Sequence, residues 1–171
     1  MKKSLFKDKK SDNIRIENHI EKLNKLFIYI HQDVEEFQTL YGIPIKSEIL
    51  EDIENDKNLR RLVDSIISNF SKIQTILGEK LFKEVLFFAN DISDKNLSFI
   101  EILSVLEKEN ITNRINWKTL KNIRNNIAHE YPDELEEMAN NLNIIFENIL
   151  FLEKSFQNIT NHYKKAKEFW D

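Results

Sequence analysis

Ile16, Ile20, Leu23, Phe27, Ile30, Val34, Phe37 and Tyr41 recur alternately four and three residues apart. At 3.6 residues per turn, that alternation keeps one apolar stripe aligned along a helix, whereas a strand would need a period of two. The same spacing returns in Leu59, Val63, Ile66, Phe70, Ile73 and Leu77. It returns again from Leu135 and Met138 through Leu142, Ile145, Ile149, Leu152, Phe156 and Ile159 to Tyr163. Only two glycines and two prolines interrupt the 171 residues, so long helices with short connections are expected. These seams predict an all-α fold, an antiparallel bundle of about five main helices.

Residues 1–12 read as a flexible basic arm, and residues 13–171 as a single helical domain with a short insertion near 42–56. The first helix is expected from about Asn13 to Leu40. Leu26 and Ile28 widen its face, Gly42 supplies a terminating left-handed turn, and Pro44 blocks continuation. A short helix is expected within 45–55, and the next long one from near Asp56, with Gly78 marking a bend. Asp64 follows Arg60 by four residues and Arg61 by three, the spacing of a local ion pair. Ser98 and Glu101 have capping-box spacing ahead of a helix whose core side is Ile100, Leu103, Val105 and Leu106. Asn116 is placed to cap a helix bearing Trp117, Leu120, Ile123 and Ile127. Asp133 and Glu136 repeat the capping-box spacing before the last helix, where Ile144, Phe146, Leu150 and Phe151 broaden the seam enough to suggest burial against a second subunit.

The chain contains no cysteine, which removes thiol chemistry, disulfides and cysteine-ligated metal. Its formal charge of -4 does not announce a nucleic-acid binder, although a local basic face is compatible with it. The five lysines at 2, 3, 7, 9 and 10 are one such place, either a solvated terminus or an RNA contact. No apolar run approaches the length of a membrane span, and a cytoplasmic location is expected. His19, His31, His129 and His162 show no metal-ligand spacing, so neither metal nor cofactor is expected.

His129 stands apart because of its neighbours, Ile123-Arg124-Asn125-Asn126-Ile127-Ala128-His129-Glu130-Tyr131. A histidine exchanges protons near neutral pH, and an arginine holds phosphate through several directed donors. RNA carries its own nucleophile, the 2′-hydroxyl, so arginine, histidine and a polar amide suffice for its cleavage. Each residue also has a plainer use. Arg124 can pair with an acid such as Asp64, Asn125 can satisfy local backbone, and His129 can cap terminal carbonyls. Glu130 can serve as a local charge partner. Tyr131 can pack its ring, and Trp117 can anchor the core or a subunit interface. On a straight helix at about 100° per residue, Arg124 and His129 point roughly 140° apart, so one regular helix does not join them. A distorted turn, the reach of arginine or a second copy of the helix would.

The segment Arg124-Asn125-Asn126-Ile127-Ala128-His129, continued by Glu130-Tyr131, resembles the motif of the HEPN superfamily and, within it, of HepT-like toxins. The resemblance covers about residues 13–165. It implies a homodimeric helical bundle with metal-independent endoribonuclease activity. Arg124 would bind or polarise the scissile phosphate, His129 would transfer a proton or stabilise the leaving group, and Asn125 would orient the motif or the RNA. A minimal nucleotidyltransferase antitoxin would be the partner, silencing the toxin by adenylylating Tyr131, where added phosphate charge repels RNA. Some relatives are instead noncatalytic partners or substrate-binding subunits of such nucleotidyltransferases.

Overall fold

The computed structural model describes residues 2–127 and 135–169, with side-chain surroundings from residue 11 onward. It is all-α, with no strand among the described residues. Helix α1 spans Lys2–Tyr41, α2 Ser47–Leu50, α3 Lys57–Gln74, α4 Phe82–Phe88, α5 Phe99–Lys108, α6 Arg114–Ile127 and α7 Leu135–Glu168. A π-helical segment, Thr75–Leu81, joins α3 to α4. The long helices stop where the sequence supplies a stop signal. Gly42 takes φ +83 after α1, and Asn90 (φ 64) and Asn110 (φ 56) take the left-handed conformation after α4 and α5.

Several boundaries differ from the sequence reading. The first helix begins at Lys2 rather than near Asn13, because nothing among residues 2–12 is a helix breaker and lysine propagates helix well. α6 begins at Arg114, so Asn116 lies inside it rather than capping it. Within 45–55 only Ser47–Leu50 is helical, followed by turns. The Asp133 half of the second capping box lies outside the described residues. The Ser98 box forms in full. Ser98 Oγ accepts from the Glu101 backbone N–H, and the Glu101 carboxylate accepts from the Ser98 hydroxyl at 2.6 Å and then from its backbone N–H at 2.8 Å, which hold the carboxyl below its ordinary range.

The chain divides into two compact units, each assembled from separated stretches. Unit 1 is Met1–Lys25, Ile73–Arg114 and Leu152–Asp171; unit 2 is Leu26–Lys72 and Ile115–Phe151. Helices α1 and α7 contribute to both.

In unit 1, α1 and α7 run antiparallel. Tyr163 Oη donates to Asn13 Oδ1 and bonds Glu17 Oε1 at 2.8 Å, while Lys167 Nζ donates to the same Glu17 oxygen at 3.1 Å. Ile16, Leu23, Leu81, Phe82, Leu103 and Ile159 are fully buried in the core, each contributing on the order of 1.5–3 kcal/mol by its removal from water. The core face of α5 uses Ile102 with Leu103 and Leu106, whereas Ile100 is 57% exposed. Ile73, Leu77, Leu81 and Val85 are all fully buried, each four residues from the last. Steps of four on a straight α-helix drift by about 40° each, so three in a row leave the core face. The i→i+5 bonding of the π segment takes more residues per turn and holds all four inward. Gly78, expected at a bend, sits buried inside that segment.

In unit 2, α1 runs antiparallel to α3. Asp33 Oδ2 accepts from Ser65 Oγ at 2.6 Å and Asn69 Nδ2 at 3.0 Å, and Glu36 accepts from Arg61 at 2.5 Å. At the far end of that pair Tyr41 Oη donates to Asp56 at 2.7 Å. Asp56 also caps α3, accepting from the Asn58 and Leu59 backbone N–H groups. α1 also meets α7 in this unit, through the rings of Phe37 and Phe146 at 5.7 Å. The side chain of Asn143 clasps the chain after α1, accepting from the Ile45 N–H at 2.7 Å and donating to its carbonyl at 2.9 Å.

Candidate functional site

Of the residues singled out from the sequence, Trp117, Arg124 and Asn125 lie on α6. Trp117, Leu120, Ile123 and Ile127 fall on one face and are buried. The Trp117 indole is 1% exposed and meets the Phe151 ring edge-on, with centroids 6.5 Å apart. This is the core-anchor use of Trp117. The apolar face fixes the rotation of the helix, and the polar residues of the last turn take their directions from it. Arg124, next to buried Ile123, is half-buried, while Asn125 and Asn126 are exposed. Asp64 lies exposed on α3, in the same unit as α6. His129, Glu130 and Tyr131 lie outside the described residues, so the structure speaks to the first half of the motif only.

Other polar clusters were not evident in the sequence. His162 Nε2 lies 2.6 Å from Asp91 Oδ2, joining α7 to the turn after α4 across 71 residues of chain. His19 Nε2 stands 3.4 Å from Glu84 Oε2, an ion-pair distance without hydrogen-bond geometry, and the buried Nδ1 of His19 has no partner among the described residues. Histidine–carboxylate pairs are proton-transfer elements in enzymes, and equally a common way to tie helices together. No group of three or more metal-ligating side chains occurs among the described residues. Tyr41 and Asp56 titrate away from their usual ranges. Burial and then the Asp56 bond push the Tyr41 hydroxyl up to about 12, and the Leu59 N–H followed by the Tyr41 hydroxyl hold the Asp56 carboxyl down.

No protein-family model, curated protein or solved structure matches the chain. Functional assignment therefore rests on the chain's own residues.

Unit 1 also holds an open groove of about 520 Å³ between α1 and α7. Its floor is Ile20 and Phe156; Asn24, Gln157, Asn161 and Lys164 stand along it, and the buried Thr160 hydroxyl facing it has no hydrogen-bond partner among the described residues. Among the described residues, none of the sequence-derived site residues borders this groove. Among the described residues no helix is long and apolar enough to cross a membrane.

Proposed function

We propose that this chain is a HEPN-type, metal-independent endoribonuclease of the HepT-like toxin class, acting as a homodimer. The observation that carries the reading is the Arg-x4-His motif in its context. Asn125 sits on the outward side of the last described turn of α6, and Arg124, seven residues after the buried Trp117, lies half-buried at the edge of the apolar face. Such a helix end presents cationic and amide donors at a fixed angle, which is what recognition of a scissile phosphate requires. The all-α architecture fits the same reading.

In this mechanism the ribose 2′-hydroxyl attacks the adjacent phosphorus. The O2′–P bond forms, the P–O5′ bond breaks, and the hydroxyl proton is ultimately replaced on the leaving O5′. Arg124 stabilises charge on the phosphate, Asn125 orients it, and His129 carries the proton. The products are a 2′,3′-cyclic phosphate and a 5′-hydroxyl. The angular separation of Arg124 and His129, roughly 140° on one helix, makes a second copy the natural source of the complementary group. Ile115 on α6 and Leu150 on α7, both 70% exposed, are apolar surface available to it. A minimal nucleotidyltransferase partner would silence the site by adenylylating Tyr131.

The test is RNA-end mapping with purified protein in a metal chelator. Wild type should generate cyclic-phosphate ends, and Arg124→Ala or His129→Ala should reduce cleavage on the order of 10²–10⁴-fold while the helical spectrum is retained. Intact RNA with wild type, or undiminished cleavage by both variants, sinks the proposal. The net charge of -4 favours one other reading, a noncatalytic HEPN partner of a nucleotidyltransferase. It is recognised by stable co-purification with that enzyme and no new RNA ends.

A further inference from the structure

We infer that the groove between α1 and α7 in unit 1 is a binding site for an extended peptide segment of a partner protein, with acidic side chains toward its Lys164 end. The groove holds about 520 Å³, within the range of about 300–1,000 Å³ typical of ligand clefts. Its walls are two facing rows. Glu17, Ile20 and Asn24 follow at three and four residues on α1, and Gln157, Thr160, Asn161 and Lys164 keep the same spacing on α7. Residues so spaced share one helix face, so each helix turns a whole row toward the channel.

The polar groups of this channel are unspent. Among the described residues, Asn24, Gln157 and Asn161 make no hydrogen bond. Other carboxamides of α7 are used. Asn143 holds both backbone groups of Ile45, Asn148 donates to the Ile144 carbonyl, and Asn158 donates to the Ile111 carbonyl. Thr160 differs from its kind in the same way. The hydroxyls of Thr39, Ser104 and Thr119 each donate to the carbonyl one turn back, whereas the buried Thr160 hydroxyl has no partner among the described residues. A buried hydroxyl without a partner costs free energy, which a polar ligand group in the groove recovers.

Free carboxamides match peptide groups. Each offers an N–H donor and a carbonyl acceptor, the complement of a peptide C=O and N–H. In an extended chain the peptide groups facing one side recur every two residues, about 6.6 Å. Gln157 and Asn161 stand about one turn apart, about 6 Å along α7, and Asn24 lines the opposite wall. From Gln157 to Lys167 the helix runs about 15 Å, the length of four or five extended residues. A docking helix fits less well. Its backbone groups are bonded internally, and its apolar face would meet little beyond Ile20 and the buried Phe156.

The charge of the groove is uneven. At one end Lys164 and Lys167 stand with Glu17, two ammoniums against one carboxylate. Lys167 donates to Glu17 at 3.1 Å, the Tyr163 hydroxyl bonds the same oxygen at 2.8 Å, and Lys164 acts on it through charge alone. At the other end, Asn24 and Gln157 are uncharged and no cation lines the groove. An acidic residue of the ligand therefore finds its complement at the exposed Lys164 ammonium. A polynucleotide would carry charge along its whole length, past the end that has no cation to meet it. None of these contacts involves the motif on α6.

The experiment selects random octapeptides displayed on phage against the full chain, then synthesises the enriched sequences and titrates them by fluorescence anisotropy. Selection should enrich peptides with acidic residues toward one end. Gln157→Ala/Asn161→Ala changes two exposed positions. It should weaken Kd by about tenfold or more with the helical spectrum retained, as should methylation of alternate backbone nitrogens in the peptide. Lys164→Gln should remove the preference for an acidic peptide over its amide analogue. No enrichment over the Asn161→Trp protein, whose indole fills the groove, overturns the proposal, as do selected peptides that bind Gln157→Ala/Asn161→Ala as tightly as wild type. Tighter binding of an oligouridylate than of any selected peptide, lost in Asn161→Trp, also overturns it and assigns the groove to nucleic acid. Arg124→Ala should leave peptide binding unchanged, whether or not the ribonuclease reading holds.

Discussion

Helices α1 and α7 meet in both compact units, but by different chemistry. In unit 1 their described polar contacts centre on the Tyr163 hydroxyl, which bonds Asn13 and Glu17, with the Lys167 ammonium on the same Glu17 carboxylate, beside an open groove with carboxamide walls. In unit 2 they meet through aromatic rings, Phe37 on Phe146, with the Trp117–Phe151 pair in the same unit. Ring packing depends on area and shape, and is indifferent to salt and to pH in the middle range. A hydrogen-bonded carboxylate depends on its ionisation and, where partly exposed, is screened. The same two helices are thus held by contacts with opposite sensitivities.

Truncating the ring packing should do most damage. Trp117→Ala removes a fully buried indole and leaves a cavity, so chemical denaturation should show a loss of about 3–5 kcal/mol, nearly independent of salt. A smaller or strongly salt-dependent loss would break the contrast. Tyr163→Phe keeps the ring and deletes the hydroxyl that bonds Asn13 and Glu17, with an expected cost of about 1 kcal/mol by the same measurement. A cost equal to that of Trp117→Ala would show the polar seam to be as strong as the aromatic one.

The pH dependence is the finest test, and its two ends report on different units. Glu17 has a lowered pKa in the fold, so it contributes stability above the ordinary glutamate range that is lost as pH falls through its folded value. Tyr41 has its hydroxyl raised from 10.0 to about 12, so its contribution is complete below pH 10 and disappears between 10 and 12. Melting curves should therefore show a small acid-side loss that Glu17→Gln removes and a small alkaline loss that Tyr41→Phe removes. Loss of both by either variant alone would mean that the two seams are not separable.

The fold was legible where contacts are local in sequence. The four-three seams of α1, α3 and α7 placed Leu23, Phe37, Ile66, Leu142 and Ile159 inward, and all five are buried. Periodicity did less well on α5, where six apolar residues within one short stretch left the phase ambiguous. Ile102 is buried in place of the expected Ile100. The His162–Asp91 pair could not be read at all, because its partners lie 71 residues apart and meet only through tertiary packing. For the proposed site, the sequence supplied the motif and the burial of Trp117, and the fold adds the outward setting of Asn125. The clasp of Asn143 on Ile45 was equally hidden, since an asparagine in a helical seam looks like any other surface amide.

The π segment between α3 and α4 has a consequence for how this chain tolerates change in length. A turn with i→i+5 bonding is what an α-helix becomes when it absorbs one additional residue while the downstream helix keeps its place. Were one residue lost within Thr75–Leu81, the turn could close into α while the later side chains of α4 kept their directions. Phe82, Val85 and Phe88 would then stay in the core of unit 1. The segment keeps the phase of a helix independent of its residue count, at a stretch where four buried apolar residues, Ile73, Leu77, Leu81 and Val85, fall four apart.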